Sequence, residues 1–139
     1  MKNPFVLVLL VAACSSGSPI AEGLPPDNVH YIGRSPAGVA VLDGRLHLDF
    51  SPDSVVSGSW EIHWLPGADT SLQVGPQVGS GRLSGQWQGA TLVLDLNPGF
   101  ADNNVILSAT PVEHGWSGTW GWDTIHGIAT EGNFTATAP

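Results

Sequence analysis

From Ala37 onward, apolar and polar side chains alternate along the chain. Leu46, Leu48 and Phe50 are interleaved with His47 and Asp49. Trp60, Ile62 and Trp64 are interleaved with Glu61 and His63, and Leu92, Leu94 and Leu96 with Val93 and Asp95. A strand turns successive side chains to opposite faces, so each apolar set shares one face. Gly, Pro, Asn and Asp interrupt the pattern every 8–12 residues, which predicts antiparallel strands in a barrel or a β-sandwich. Helical periodicity is almost absent.

The predicted strands follow. Ala37–Leu42 and Arg45–Phe50 flank Asp43-Gly44, a dipeptide suited to a type I′ hairpin. Val55–Trp64 is a long strand, and Leu65–Val78 a turn-rich connection. Gly81–Gln88 and Thr91–Leu96 flank Gly89-Ala90, and residues 97–103 form a loop. Val105–Glu113 and Trp116–Asp123 flank His114-Gly115, and Ile128–Thr137 closes the set. This is an all-β fold, an antiparallel meander of about eight strands closed into a small up-and-down barrel, with a β-sandwich as the alternative.

The register of one pair can be predicted. If the strands flanking Ser51–Ser54 pair with their apolar sets on one face, even-numbered residues must face even-numbered ones. Pro52-Asp53-Ser54 is a loop of the right parity. It sets Phe50 against Val56, Leu46 against Trp60, and Arg45 against Glu61. A slip of one residue would set Arg45 against Trp60 and ruin the core.

A repeat runs through the same strands. Ser57-Gly58-Ser59-Trp60, Ser84-Gly85-Gln86-Trp87 and Ser117-Gly118-Thr119-Trp120 share the pattern S-G-x-W, and Gly132-Asn133-Phe134 is a weaker copy. The spacings from Trp60 to Trp87 and from Trp87 to Trp120 are 27 and 33 residues, too unequal for a solenoid. Glycine and tryptophan two apart share a face. Each glycine leaves room for a bulky neighbour from the next strand and permits the coiling that barrel closure needs.

The beginning of the chain differs. Lys2 is followed by an uncharged apolar run, Phe5–Ala13, too short to span a bilayer, which needs about 20 apolar residues. Val11-Ala12-Ala13-Cys14 then resembles a bacterial lipobox. The resemblance implies a lipoprotein precursor with a signal peptide at 1–13 and an acylated N-terminus at Cys14. The other reading is an ordinary signal peptide that leaves a free thiol. As the only cysteine, Cys14 has no partner for an internal disulfide. Acyl chains contribute about 0.8 kcal/mol per buried CH₂, and two or more anchor a protein stably. By resemblance to Gram-negative sorting signals, Ser15 implies the outer membrane. Residues 14–36, rich in Ser, Gly and Pro, read as a tether with Tyr31 and Ile32 packing at its end. About twenty residues could reach about 70 Å. The β-domain is expected over 37–139.

Composition narrows the function. Without residues 1–13, the chain of 139 keeps 126, one domain able to fold without disulfides or metal. Three arginines (Arg34, Arg45, Arg82) face twelve acids, a balance of −9. Such a surface repels nucleic acid and anionic headgroups.

Candidate chemistry is sparse. His30, His47, His63, His114 and His126 show none of the HxH, HxxxH or HExxH spacings. His47, Asp49, Glu61 and His63 share one polar face, with His47 opposite Ser59 and His63 opposite Asp43. That face reads as a solvated wall, or alternatively as a zinc or copper site. Asp102-Asn103-Asn104 reads as a turn rather than a calcium loop. No G-x-S-x-G elbow and no selected carboxylate pair is present, so no enzyme and no cofactor are expected.

The Gly-punctuated strands, the S-G-x-W repeats and the closing Gly132–Ala136 segment (Gly-x-Phe-x-Ala) resemble small up-and-down barrels of the lipocalin and avidin type. The first G-x-W here, Gly58–Trp60, falls on the third predicted strand rather than the first, and the C-terminal helix of lipocalins has no counterpart. No ligand contacts are carried over. The resemblance implies a barrel that can hold one small apolar ligand, lined here by Trp60, Trp64, Trp87, Trp120 and Trp122. The alternative is an accessory envelope lipoprotein whose interior is filled by its own side chains.

Overall fold

The computed structural model describes residues 26–139. Eight antiparallel strands run in chain order: β1 (Asn28–Arg34), β2 (Ala40–Phe50), β3 (Val55–Trp64), β4 (Gly79–Gln88), β5 (Thr91–Asp95), β6 (Asn103–Val112), β7 (Gly115–Thr124) and β8 (Gly127–Thr137). Each pairs with its neighbour in sequence, and β8 returns to β1, so the sheet closes into an up-and-down barrel. Closure rules out the sandwich and removes every free sheet edge.

The β2–β3 register is the expected one: Phe50 faces Val56, Leu46 faces Trp60, and Arg45 faces Glu61. Ser54 takes a positive φ of 68° at the end of the three-residue loop, and the Ser51 amide donates to the Val55 carbonyl at 3.0 Å. That is the usual construction of a three-residue hairpin. Parity fixes the inner face throughout. Tyr31 is opposite Ala136, Leu94 opposite Leu107, and Leu107 opposite Trp120, all of them buried.

Two expectations fail together. Asp43-Gly44 is not a turn: it lies in the middle of β2, a single strand from Ala40 to Phe50. Gly44 serves close approach instead. A Cβ there would sit 2.3 Å from the Glu61 carbonyl oxygen on β3. The segment 28–34 is not tether. It is β1, paired with β2 on one side and β8 on the other, and the barrel begins at Asn28 rather than Ala37. One split strand and one missed strand offset each other, which is why about eight strands are expected and eight are present among the described residues. The β6–β7 turn also falls one residue early, at Glu113-His114, with His114 at φ 65°.

The S-G-x-W glycines act as coiling points. A Cβ on Gly58 would meet the His47 carbonyl oxygen at 1.9 Å, and one on Gly118 would meet the Ser108 carbonyl oxygen at 1.8 Å. Other inward glycines carry the tryptophans. Trp60 lies across from Gly81, and Trp120 across from Gly132, with indole atoms 3.1 and 2.7 Å from where a Cβ would stand. Such aromatic cover over glycine stabilises a strongly curved sheet.

Candidate functional site

The five tryptophans expected to line a cavity divide into three kinds. Trp60 and Trp120 are interior, 7% and 1% exposed, and their indole N–H groups are satisfied by the backbone. Trp60 Nε1 donates to the Leu96 carbonyl at 2.6 Å, and Trp120 Nε1 donates to the Arg34 carbonyl at 2.8 Å. Leu46, Leu83, Leu94, Leu107 and Phe134 are buried in the same cluster. Trp64 and Trp122 stand half-buried at one end, and Trp87 at the other. The expected lining also omits Trp116, which is 2% exposed. Its signal was present, since Trp116, Trp120 and Trp122 share parity on β7.

One end of the barrel is plugged. The connection between β3 and β4 folds back over it, burying Val74 and Gln77. Gln77 Nε2 donates to the Val74 carbonyl at 2.7 Å, and Gln77 Oε1 accepts from the Tyr31 hydroxyl at 3.0 Å. Burial raises the Tyr31 phenol far above its ordinary value. Gly75, at φ 68°, packs where a Cβ would lie 2.5 Å from the Trp122 ring. Thr130 Oγ1 donates to the Gln73 carbonyl at 2.6 Å. What remains is a shallow recess of about 410 Å³ beside Trp64, Leu72 and Trp122.

The opposite end, which no long connection covers, is the open end: it carries only the short β2–β3, β4–β5 and β6–β7 hairpin turns among the described residues. Trp116 is stacked under Phe50, with ring centroids 6.1 Å apart, and tilted against Trp87 at 5.5 Å. Among the described residues its buried Nε1 has no hydrogen-bond partner. The chain also joins the barrel here, where the Leu48 amide donates to the Asp27 carbonyl at 2.6 Å.

The polar face predicted on β2 and β3 is the outer wall. His47 lies opposite Ser59 and His63 opposite Asp43, as expected. His30 of β1 joins them, with Nε2 3.1 Å from Asp43 Oδ1, while His63 Nε2 is 3.9 Å from the same oxygen. His47 places Nδ1 2.9 Å from Asn28 Oδ1 and Nε2 3.2 Å from Asp49 Oδ1. Among the described residues no group of three or more His, Cys, Asp or Glu is arranged to hold a metal ion. Asn103 and Asn104 belong to a turn network: Asn104 Nδ2 donates to Asp95 Oδ2 at 2.7 Å and to the Asn97 carbonyl at 3.0 Å. A groove of about 930 Å³ crosses the outer wall of β1–β4, bordered by Pro139. Sequence reasoning missed it because its sides come from four strands.

Cys14 and the signal-peptide boundary lie outside the described residues. No protein-family model, curated protein or solved structure matches the chain.

Proposed function

We propose that this chain is a lipid-anchored extracytoplasmic lipoprotein, an accessory component of the cell envelope, whose filled barrel works through its surface. The carrying observation is the state of Trp60 and Trp120. The two residues best placed to line a ligand cavity are buried against the core and bonded to backbone carbonyls. An eight-stranded barrel is just wide enough either to be filled by side chains or to hold one small ligand. The packing here favours the first use. The likeness to lipocalin- and avidin-type barrels then concerns strand order rather than ligand carriage.

Anchoring rests on the lipobox-like Val11–Cys14 and on Ser15, which favours the outer membrane. With β1 starting at Asn28, the tether shortens to residues 14–27, about 50 Å when extended. It joins the barrel at the open end. Cys14→Ser should abolish acyl labelling and release the chain from membranes.

A second reading keeps a small, largely apolar ligand, now at the open end, where it would pack on Phe50, Trp87 and Trp116 and offer an acceptor to Trp116 Nε1, which has no partner among the described residues. Tryptophan fluorescence titrated with fatty acids, haem and hydrophobic dyes separates the two. The filled-barrel reading expects no saturable change. Saturable quenching near one equivalent, lost in Trp87→Ala, would overturn it in favour of the mouth.

A further inference from the structure

We infer that the outer-wall groove of β1–β4 is a binding site for a small zwitterion, a molecule with one anionic group and one primary ammonium a few bonds apart. The groove's volume, about 930 Å³, is in the range of small-molecule sites. Arg45 and Glu61 stand directly opposite each other on β2 and β3, both exposed and both lining it. Among the described residues, neither makes an ion pair or a side-chain hydrogen bond. A guanidinium fork and a carboxylate are thus presented side by side to the same space. Arg45 suits a carboxylate or phosphate through paired N–H donors, and Glu61 suits an ammonium. Cross-strand neighbours have Cβ atoms about 5 Å apart, so both charged heads reach the same space.

The surroundings discriminate among other ligands. A polyanion would meet one arginine and the carboxylates of Glu61, Asp43 and Asp49, so the wall repels it. A dication would meet Arg45. Sugar stacking favours an exposed indole, phenol or phenyl ring, and among the described residues the only such ring bordering the groove, that of Trp60, is buried. His30, His47 and Ser59 add hydrogen-bonding groups along the rim. Two sources share the required chemistry: a free amino acid and a phosphoethanolamine headgroup. The groove includes Asn28, where the tether joins the barrel, and so lies within reach of an anchored membrane.

The test is calorimetric titration of the full chain, purified in mild detergent, with L-leucine and with glycerophosphoethanolamine, the phosphodiester form of a phosphoethanolamine headgroup. Glutarate, putrescine and glycerophosphocholine serve as a dianion, a dication and a zwitterion without ammonium N–H groups. Saturable binding of either ammonium zwitterion at millimolar concentration or below, weakened about tenfold by Arg45→Gln and by Glu61→Gln, supports the site. Leucine alone binding identifies a free amino acid; glycerophosphoethanolamine alone identifies a headgroup. Both variants change exposed side chains, and unchanged far-ultraviolet dichroism shows that the barrel persists. The exchange variant Arg45→Glu with Glu61→Arg keeps both charges in the groove and should recover much of the affinity. Absence of saturable binding, equal affinity for glutarate, or unchanged affinity in both single variants overturns the proposal. None of these outcomes bears on the filled-barrel reading, which concerns apolar ligands.

Discussion

The two ends of the barrel treat the same problem differently. At the plugged end every buried polar group described above has a partner. Gln77 bridges the Val74 carbonyl and the Tyr31 hydroxyl, and Trp120 reaches the Arg34 carbonyl. At the open end Trp116, as deeply buried as Trp120 and four residues away on the same strand, has an N–H without a partner among the described residues. An unsatisfied buried donor costs about 1–3 kcal/mol. One end therefore combines burial with satisfied polar groups, while the other has aromatic packing with a polar defect. The lesson is that burial alone does not rank the contribution of these tryptophans.

The strongest way to break this comparison is Trp120→Ala. Truncation removes an indole packed over Gly132 and leaves the Arg34 carbonyl without its donor. Removal of a buried tryptophan typically costs about 3–5 kcal/mol. In urea melts the midpoint should fall by that equivalent with the slope unchanged. A loss below about 1 kcal/mol would mean that the plugged end is not the stable half.

Tyr31→Phe probes the plug itself. It leaves Gln77 Oε1 buried without a donor, at a cost of about 1–3 kcal/mol. It also has a pH signature. The phenol is held protonated in the folded state by burial, whereas in the unfolded chain it titrates near 10. The folded value is the higher one. The associated stability is therefore complete below about pH 10 and declines as pH rises past it. Tyr31 is the only tyrosine in the chain, so the alkaline loss should vanish in the phenylalanine variant. An equal alkaline decline in both proteins would show that Tyr31 is not the group responsible.

What the sequence disclosed follows from the physics of each feature. The β2–β3 register was legible because a one-residue slip would turn Arg45 inward, so pattern alone selects it. Asp43-Gly44 misled because glycine serves both positive φ and close approach, and only the neighbouring strand tells which. β1 was obscured by its Pro- and Ser-rich surroundings, although Val29, Tyr31 and Gly33 alternate with His30, Ile32 and Arg34. Parity placed the tryptophans on the inner face. It could not say whether opposite walls meet, which decides between a hollow and a filled barrel. Gln77 was illegible for a similar reason. A glutamine in a Gly- and Pro-rich connection is ordinarily solvated, and its burial depends on the loop folding back onto Tyr31. The groove draws on residues from four strands, including β1, which the sequence pattern assigns to the tether.

The finest test of the two ends is Trp116→Phe beside Trp120→Phe. Both substitutions keep an aromatic ring and remove an indole N–H. At position 116 the deleted group is the unsatisfied one, so its desolvation cost disappears and offsets the packing lost against Phe50 and Trp87. The net change should lie within about 1 kcal/mol of zero. At position 120 the same change leaves the Arg34 carbonyl unpaired, and no offset exists. Trp120→Phe should therefore be the more destabilising by about 1–2 kcal/mol, read as the gap between the two urea midpoints at equal slope. Equal losses would mean that the Trp116 N–H finds a partner in solution. The open end would then be as well satisfied as the plugged one, and the contrast between the two ends would reduce to packing.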